Sequence, residues 1–429
     1  MNALLRLGYG GAVQVARAAA ALVPPGESKL LRALRGRRGI RARYAAWGRS
    51  GRDSSRDLLW MHAPSVGEGL QASPVLALLR AERPSLQLAY TYFSPSAEAF
   101  ARRLPVDFAD YLPFDSPGDA RAAVRALRPR ALVFSKLDVW PALSREARLA
   151  GVRLGLVSGT VREESARRAP LARSLLRDAY QQLDLVGAVD MADAERLVDL
   201  GVAPGAISVT GDTRYDQVWE RASRADLTGA LLSPLVSDRP TLVAGSTWPP
   251  DEIVLLAAWP SVRGRVPGAR LIIAPHEPTA AHLLAVESWA SGAGLALARL
   301  GAPDAGAADV VLVDRVGVLG DLYALADVAY VGGGFHDAGL HSVLEPAAFG
   351  APVVIGARRH GSRDAAALLA VGGAASVGDA GGMVRQLTEW LGDEGARAAA
   401  GSSARAVVQG GLGAAARSAA LVRRLLDGA

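Results

Sequence analysis

The chain is 429 residues long and half of them are apolar, more than one hydrophobic core usually supports, so two folded domains are expected. It contains no cysteine, which excludes disulfides, thiolate nucleophiles and Cys-based zinc sites. The formal charge is +6 and nearly all the cation is arginine, Lys29 and Lys136 being the only lysines; the six histidines (His62, His276, His282, His336, His341, His360) show no paired-ligand spacing, which argues against a structural metal.

Residues 1–50 read as a basic N-terminal segment. A small-residue apolar stretch from Leu4 to Val23 is interrupted by Arg6 and Arg17, too charged for a spanning helix. It runs through Ala18 to Ala21 into Pro24-Pro25 with no convincing secretory cleavage pattern. Lys29, Arg32, Arg35, Arg37, Arg38, Arg41, Arg43 and Arg49 then follow with no acid between Glu27 and Asp53. An interfacial helix with a polybasic follow-up suits an anionic membrane surface. Nucleic acid is the competing partner, but Tyr44 and Trp47 are the only interleaved aromatics, so the membrane reading is preferred and no nucleic acid is expected. A solvated surface helix is the plain alternative.

From about residue 56, short apolar runs alternate with Ala/Leu/Arg-rich helical segments, which predicts βαβ units and parallel sheets. A first doubly wound domain is expected over 51–218, with strands at 57–62, 87–92, 131–135, 153–158, 184–188 and 207–210. Its helices are expected at 96–103, 117–127, 140–150, 164–180 and 191–200. A polar, Pro-containing linker over 219–238 leads to a second domain over 239–429. Strands are expected there at 241–244, 270–274, 309–313, 328–331, 352–355 and 374–377, with helices at 251–266, 278–291, 319–326, 341–349 and 362–370. From Gly381 the tail is Ala/Arg-rich helix, broken by Gly410-Gly411-Leu412-Gly413. Two such domains predict a cleft between them as the small-molecule site.

The segment His62-Ala63-Pro64-Ser65-Val66-Gly67-Glu68 follows the apolar run Leu58-Leu59-Trp60-Met61 and precedes a helical stretch from Leu70 to Arg80. Pro74 is tolerable only in a first turn, with Ser65 or Ser73 as N-cap. Such a turn delivers Glu68 to the carboxyl edge of a parallel sheet, where open α/β folds bind ligands. Glu68 then reads either as a general base or as a first-turn carboxylate that complements the helix dipole, and both readings stand at this point.

In the second half, Gly332-Gly333-Gly334 follows the strand Val328-Ala329-Tyr330-Val331 and leads through His341 into Ser342-Val343-Leu344-Glu345-Pro346. A strand, a Gly-rich turn and a helix start make an anion site, although the pattern is neither a Walker loop nor a clean Gly-x-Gly-x-x-Gly. Glu345 reads as a ribose-hydroxyl acceptor or as a helix-capping carboxylate. Ser246-Thr247 with Asp251-Glu252, and Pro275-His276-Glu277, form two more polar strand-end loops. The three together point to a phosphate-bearing ligand.

These motifs, with Tyr111-Leu112-Pro113-Phe114-Asp115, Val139-Trp140-Pro141, Asp193-Ala194-Glu195-Arg196 and Gly211-Asp212-Thr213-Arg214-Tyr215-Asp216, come in an order that resembles the 3-deoxy-D-manno-octulosonic acid (Kdo) transferases of lipopolysaccharide synthesis, over nearly the whole chain. Phe93-Ser94-Pro95-Ser96 and Ile273 to Glu277 look most like the branch typified by Bacteroidetes enzymes. The resemblance implies a GT-B fold of two Rossmann-like domains facing a cleft, CMP-Kdo as donor, a lipid A precursor as acceptor, inversion at the anomeric carbon, and no required metal or other cofactor. It also implies an N-terminal segment on the cytoplasmic face of the inner membrane, peripheral or anchored. Glu68 matches the family's general base. Ser65, Gly67, Lys136 and Asp138 fall near the sugar or acceptor. Ser246, Thr247, His276, Gly332, Gly333, Gly334, His341, Ser342 and Glu345 match the nucleotide side. Three departures stand out against the pattern that the resemblance implies: Asp138 occupies a position where many members carry Glu, Pro275-His276-Glu277 replaces Pro-Arg-His, so an arginine near the phosphate is lost, and His341-Ser342 stands where His-Asn is typical before the ribose Glu. A GT-B transferase using another nucleotide sugar, a UDP-sugar 2-epimerase, and a noncatalytic sugar- or lipid-binding relative are the alternatives.

Overall fold

The computed structural model describes residues 3–22, 28–337, 339–359 and 361–428; the Pro24-Pro25 break and His360 lie outside them. The chain divides into two compact units, Met1–Gln217 with Leu412–Ala429, and Val218–Gly411.

The first unit opens with three helices, α1 (Ala3–Leu22), α2 (Lys29–Gly36) and α3 (Ile40–Ser50). There follow β1 (Leu58–His62), α4 (Val66–Glu82), β2 (Gln87–Tyr92), α5 (Glu98–Ala101), β3 (Phe108–Tyr111), α6 (Pro117–Leu127), β4 (Ala131–Ser135), α7 (Pro141–Leu149), β5 (Arg153–Gly159), α8 (Pro170–Gln181), β6 (Leu185–Ala188), α9 (Met191–Leu200), β7 (Ile207–Val209) and α10 (Thr213–Ser223), within which the chain leaves this unit. The strands form one sheet of order β3-β2-β1-β4-β5-β6-β7, and neighbouring strands pair in parallel, Met61 lying between Tyr90 and Val133. Helices on both faces explain why β1, β2 and β4 are buried at every position. The basic segment is part of this core: Tyr44 of α3 is buried and its hydroxyl donates to the Tyr111 carbonyl at 2.9 Å.

The second unit holds β8 (Thr241–Thr247), α11 (Pro249–Arg265), β9 (Arg270–Pro275), α12 (Ala280–Gly292), β10 (Leu297–Arg299), β11 (Val310–Leu312), α13 (Leu319–Leu322), β12 (Val328–Val331), α14 (Leu344–Phe349), β13 (Val353–Gly356), α15 (Arg363–Ala370), β14 (Ala374–Val377), α16 (Ala380–Gly392) and α17 (Glu394–Gly410). Its parallel sheet runs β10-β11-β9-β8-β12-β13-β14, the reversal beside β8 being the topological switch point of a doubly wound fold.

Four features differ from the sequence expectation. The edge strands β3 and β10 were not expected; each is three or four residues long, too short to carry a periodicity signal. Helix α4 begins at Val66, so Pro74 sits in its interior at the cost of one ladder hydrogen bond. The stretch read as a linker begins inside α10. The last helix, α18 (Ala414–Asp427), was placed with residues 239–429, yet its Ala419, Val422, Leu425 and Leu426 are buried in the core of the first unit. Asp216 holds its start by accepting from the amides of Gly413 (2.8 Å) and Ala415 (2.9 Å). At its end Arg153 donates to the Leu425 carbonyl at 2.9 Å.

Leu425→Ala is therefore expected to cost the first unit about 2–5 kcal/mol. Urea unfolding of the full chain checks this, and a change within error of wild type would remove α18 from that core.

Candidate active site

In the first unit the site is built where β1 and β4 end. Ser65 is the N-cap of α4 and Glu68 lies in its first turn, but the capping hydrogen bond is not made. The Ser65 hydroxyl donates to the Glu68 carboxylate instead, and the Lys136 ammonium donates to Glu68 Oε1 at 3.1 Å. Lys136 reaches back because it turns the chain at the end of β4 with φ +66, a conformation side-chain-bearing residues rarely adopt. Its amide is tied to the Val157 carbonyl at 2.8 Å. The Glu68 side chain is 18% exposed and that of Lys136 40%. Burial pushes the Glu68 carboxyl up, but the Ser65 hydroxyl and the Lys136 ammonium outweigh it and hold the group below the ordinary carboxylate value. The expectation of a turn that presents a carboxylate thus becomes a carboxylate ionised at neutral pH.

Asp138 lies on the same edge, more firmly held. One oxygen accepts from Arg167 at 3.0 Å; the other accepts from the Trp140 indole at 3.0 Å and faces His62 Nε2 at 3.3 Å. Burial raises its carboxyl, and these partners lower it further than burial lifts it. His62 is fully buried, its Nδ1 3.0 Å from the Thr91 hydroxyl and carbonyl, so it fixes Asp138 to β2. Gly67 has no steric duty inside the unit, since an added Cβ would meet nothing nearer than the Ser65 hydroxyl at 3.8 Å.

In the second unit Asp251 organises the strand ends. Fully buried in the first turn of α11, it accepts from the Trp248 amide (3.0 Å), the Gly333 amide (2.8 Å), the Phe335 amide (3.2 Å) and the Tyr330 hydroxyl (2.8 Å). It ties the β8 loop to the glycine turn after β12. That turn is packed to contact: a Cβ on Gly332 would stand 2.1 Å from the Ser246 carbonyl oxygen, and one on Gly333 (φ +94) 2.1 Å from that of Gly339. Ser246 is the extra residue of a bulge between β8 and β9 and has φ +53.

The Trp248 indole stacks with His276 (ring centroids 4.5 Å apart) and with His336 (4.8 Å), and it donates to His341 Nε2 at 3.1 Å. Burial, and then the neighbouring His276, lower the His341 pKa. Ser246, His276, His341 and the Gly332–Gly334 turn do come together around Trp248 and Asp251. Thr247 does not fit its expected part, because its side chain is buried and its hydroxyl is committed to Glu252 at 2.6 Å. Glu345 lies in the first turn of α14, and burial raises its carboxyl against the pull of Arg221. Ser342 precedes that turn.

Comparison with known proteins gives the same two-unit layout a family. A 3-deoxy-D-manno-octulosonic-acid transferase (kdotransferase) family model matches residues 38–217. The 3-deoxy-D-manno-octulosonic acid transferase of Bordetella pertussis is 31% identical over 398 residues, 89% of this chain and 90% of the relative. The chain belongs to the Kdo transferase family. It is a glycosyltransferase by that membership, and the Aquifex aeolicus Kdo transferase is similar too, 26% identical over 78% of this chain and 86% of its own length. Among solved structures, the UDP-GlcNAc 2-epimerase of Neisseria meningitidis bound to UDP-GlcNAc aligns with a TM-score of 0.64 at 13% identity, over 87% of this chain and 100% of that one. A putative UDP-N-acetylglucosamine 2-epimerase from Listeria monocytogenes aligns at 0.60 and 14%, over 87% and 98%. These likenesses show the fold alone, two Rossmann-like units of the kind found in GT-B enzymes.

Within this Kdo transferase, Asp251 was read only as part of a polar strand-end loop, and Trp248 and Tyr330 were given no part in the site. An acid directly after the pair Pro249-Pro250 at a strand end was the available signal for a role of Asp251 in holding the loop, since buried carboxylates at such positions collect loop amides.

Two outcomes follow from the geometry. Lys136→Met removes the charge that favours ionised Glu68, so the Glu68 carboxyl is expected to titrate at higher pH than in wild type; infrared difference titration against Glu68→Gln reads this, and an unmoved band would contradict the ion pair. Gly333→Ala is expected to destabilise the second unit by at least about 1–3 kcal/mol, the cost of a strained backbone. Gly378→Ala, where a Cβ meets nothing within 4 Å, serves as control in the same melting experiment.

Proposed function

We propose that this enzyme transfers Kdo from CMP-Kdo to a hydroxyl of a lipid A precursor, with inversion at the anomeric carbon and Glu68 as general base. The observation that carries the reading is Glu68 itself: a carboxylate at the strand-end edge of a Kdo transferase's first unit, kept ionised by Ser65 and Lys136. The acceptor oxygen attacks the anomeric carbon as the bond to the CMP phosphate oxygen breaks, the proton passes to Glu68, and CMP leaves with the bonding electron pair. Lys136 keeps Glu68 deprotonated and adds positive potential where the anionic sugar would lie. Gly67, bare where its unit does not require it, leaves room for substrate at the same turn.

On the second unit the nucleotide is assigned to Ser246, the Gly332–Gly334 turn, His276, His341, Ser342 and Glu345. Backbone amides of a glycine turn that leads toward a helix suit a phosphate, and Glu345 suits ribose hydroxyls. Thr247 supports Glu252 rather than the ligand. Asp138, with both oxygens engaged, orients Arg167 and His62 beside the acceptor.

The N-terminal segment is assigned to the cytoplasmic face of the inner membrane as a peripheral element. Among the described residues no helix is long and apolar enough to cross a membrane. Lys29, Arg32, Arg38 and Arg49 are exposed, which suits an anionic surface, whereas Arg37 is buried and Arg43 is paired with Asp110 at 2.7 Å.

Purified enzyme supplied with freshly generated CMP-Kdo and a lipid A precursor is expected to form product. Glu68→Gln is expected to lower kcat about 100- to 10,000-fold while leaving CMP-induced thermal stabilisation intact. Full activity in Glu68→Gln would sink the assignment, and stabilisation by UDP but not CMP would favour the epimerase-like reading. Because the base works only when ionised, activity falls as pH drops through its pKa, so Lys136→Met should shift the acid limb of kcat/KM upward.

A further inference from the structure

In the second unit the loops that follow β8 and β9 are tied together by a closed ring of contacts. The His276 amide donates to the Thr247 carbonyl at 2.9 Å, and the Thr247 hydroxyl donates to Glu252 Oε1 at 2.6 Å. Both Glu252 oxygens lie 2.9 Å from His282 Nε2, and His282 Nδ1 lies 3.0 Å from the carbonyl oxygen of Glu277, the residue after His276. His282 stands in the first turn of α12, behind the N-cap Thr279, and has no part in the nucleotide assignment.

Both ring nitrogens of His282 thus face acceptors. A carbonyl oxygen can only accept, so Nδ1 carries a proton. Glu252 Oε1 already accepts from Thr247, and a nitrogen equidistant from two carboxylate oxygens has the geometry of one N–H shared between them. The contacts are complete only for a doubly protonated ring against a carboxylate. A helix start disfavours a cation, so Glu252 has the dipole of α12 to offset as well. The His282 side chain is 11% exposed and that of Glu252 7%, which leaves either charge poorly solvated without the other. From α11 the group that faces His282 is Glu252, and from the loop after β9 it is Glu277; all three line a cavity of about 780 Å³ between α11 and α12. On β10, packed against α12, Arg299 is taken by Glu287 at 2.8 Å.

We propose that His282 is a positioning residue of the nucleotide side, an imidazolium whose two N–H groups clamp the Pro275–Thr279 loop onto α11 and so hold His276 against Trp248. The effect on nucleotide binding rests on the assignment given above; the doubly protonated ring does not. Loss of one ring proton leaves a lone pair facing either the Glu252 carboxylate or the Glu277 carbonyl, and two acceptors repel. The clamp is therefore present at low pH and lost as pH rises through the loss of that proton.

The test uses the full chain. In protein labelled with nitrogen-15 histidine at neutral pH, with His282→Gln to assign the signals, both ring nitrogens of His282 are expected in the protonated range. An unprotonated ring nitrogen overturns the clamp, whether or not any variant folds. CMP dissociation constants are then measured by calorimetry across the range from mildly acidic to mildly alkaline pH for wild type, His282→Gln, Glu252→Gln and the double variant, with melting temperatures to show that each is folded. The ratio of the His282→Gln constant to that of wild type cancels the titration of the CMP phosphate and of His276, His336 and His341. It is expected to be about tenfold at low pH and to fall toward unity as pH rises. A residue that only fills space gives a ratio independent of pH, and that result overturns the proposal. In the Glu252→Gln background the same substitution is expected to lose most of its effect, and an undiminished effect there would break the link between the two side chains. Absence of CMP binding by wild type refutes the nucleotide assignment and the role of the clamp in binding, and the nitrogen-15 signals still decide the charged pair.

Discussion

A parallel strand that runs into a helix must turn within a few residues, and in both units one turn is made by a side-chain-bearing residue in the left-handed region: Lys136 after β4 and Ser246 at the end of β8. Each such residue costs on the order of 1–3 kcal/mol and persists only where its surroundings leave no other path. The Val157 carbonyl holds the Lys136 amide, and the glycine turn after β12 lies so close to the Ser246 carbonyl that neither can relax. The result is directional. Lys136 points back along the sheet edge to Glu68, and Ser246 is set at the glycine turn. Ser158 shows the limit of this reasoning: it has φ +53 at a register shift of β5, yet its hydroxyl is buried against that of Thr213 at 3.0 Å. Strain marks a site only where the residue also faces an accessible edge.

Carboxylates at the strand ends divide by the same criterion. Asp251 with four donors, and Asp115 with the amides of Ala142 and Leu143 and the Tyr9 hydroxyl, are posts that hold loops together. Their donors are mostly backbone, so they cannot be released without opening the fold. Glu68 has instead a rotatable hydroxyl and a half-exposed ammonium as partners, both able to follow a ligand. That difference in partner mobility makes Glu68 the candidate base and the others its scaffold. Its lowered pKa trades driving force for proton uptake against complete ionisation at neutral pH, a usable balance when the substrate proton moves only in the transition state.

The parallel units were legible because buried strands such as Leu58–His62 and Ala131–Ser135 are short apolar runs set between helical stretches, a pattern of composition alone. Glu68 and the glycine turn were legible for a related reason: strand, turn and helix start lie within a dozen residues. What escaped was whatever depends on which partner a side chain finds, most often one distant in sequence. Helix α18 has the composition of the tail before it, and only its packing against β4, β5 and β6, more than 220 residues upstream, shows where it belongs. Thr247 reads as an available hydroxyl until Glu252 is seen to take it. Arg37 counts as one more basic residue in a run until the rings of Phe93 and Phe114 are found beneath it. Residue type predicts chemistry well, and partner identity poorly.

Asp138 and His276, two of the positions at which the sequence resemblance implies a departure, are each set by their neighbours. A carboxylate one methylene shorter cannot reach as far, and Asp138 is drawn into the wall by His62, Trp140 and Arg167, which turns its charge into a means of holding Arg167 at the edge. Where an arginine would bring a fixed charge, His276 lies against Trp248, with His336 on the same indole and His341 hydrogen-bonded to its nitrogen. His341 adds little positive charge there, because burial and the neighbouring His276 ring both lower its pKa. The shape of the glycine turn is in turn held by Asp251, which takes up the Gly333 and Phe335 amides, while the Gly332 amide is taken by the Gly245 carbonyl. Under the proposed nucleotide assignment, phosphate recognition at this edge would therefore rest on backbone geometry more than on side-chain charge.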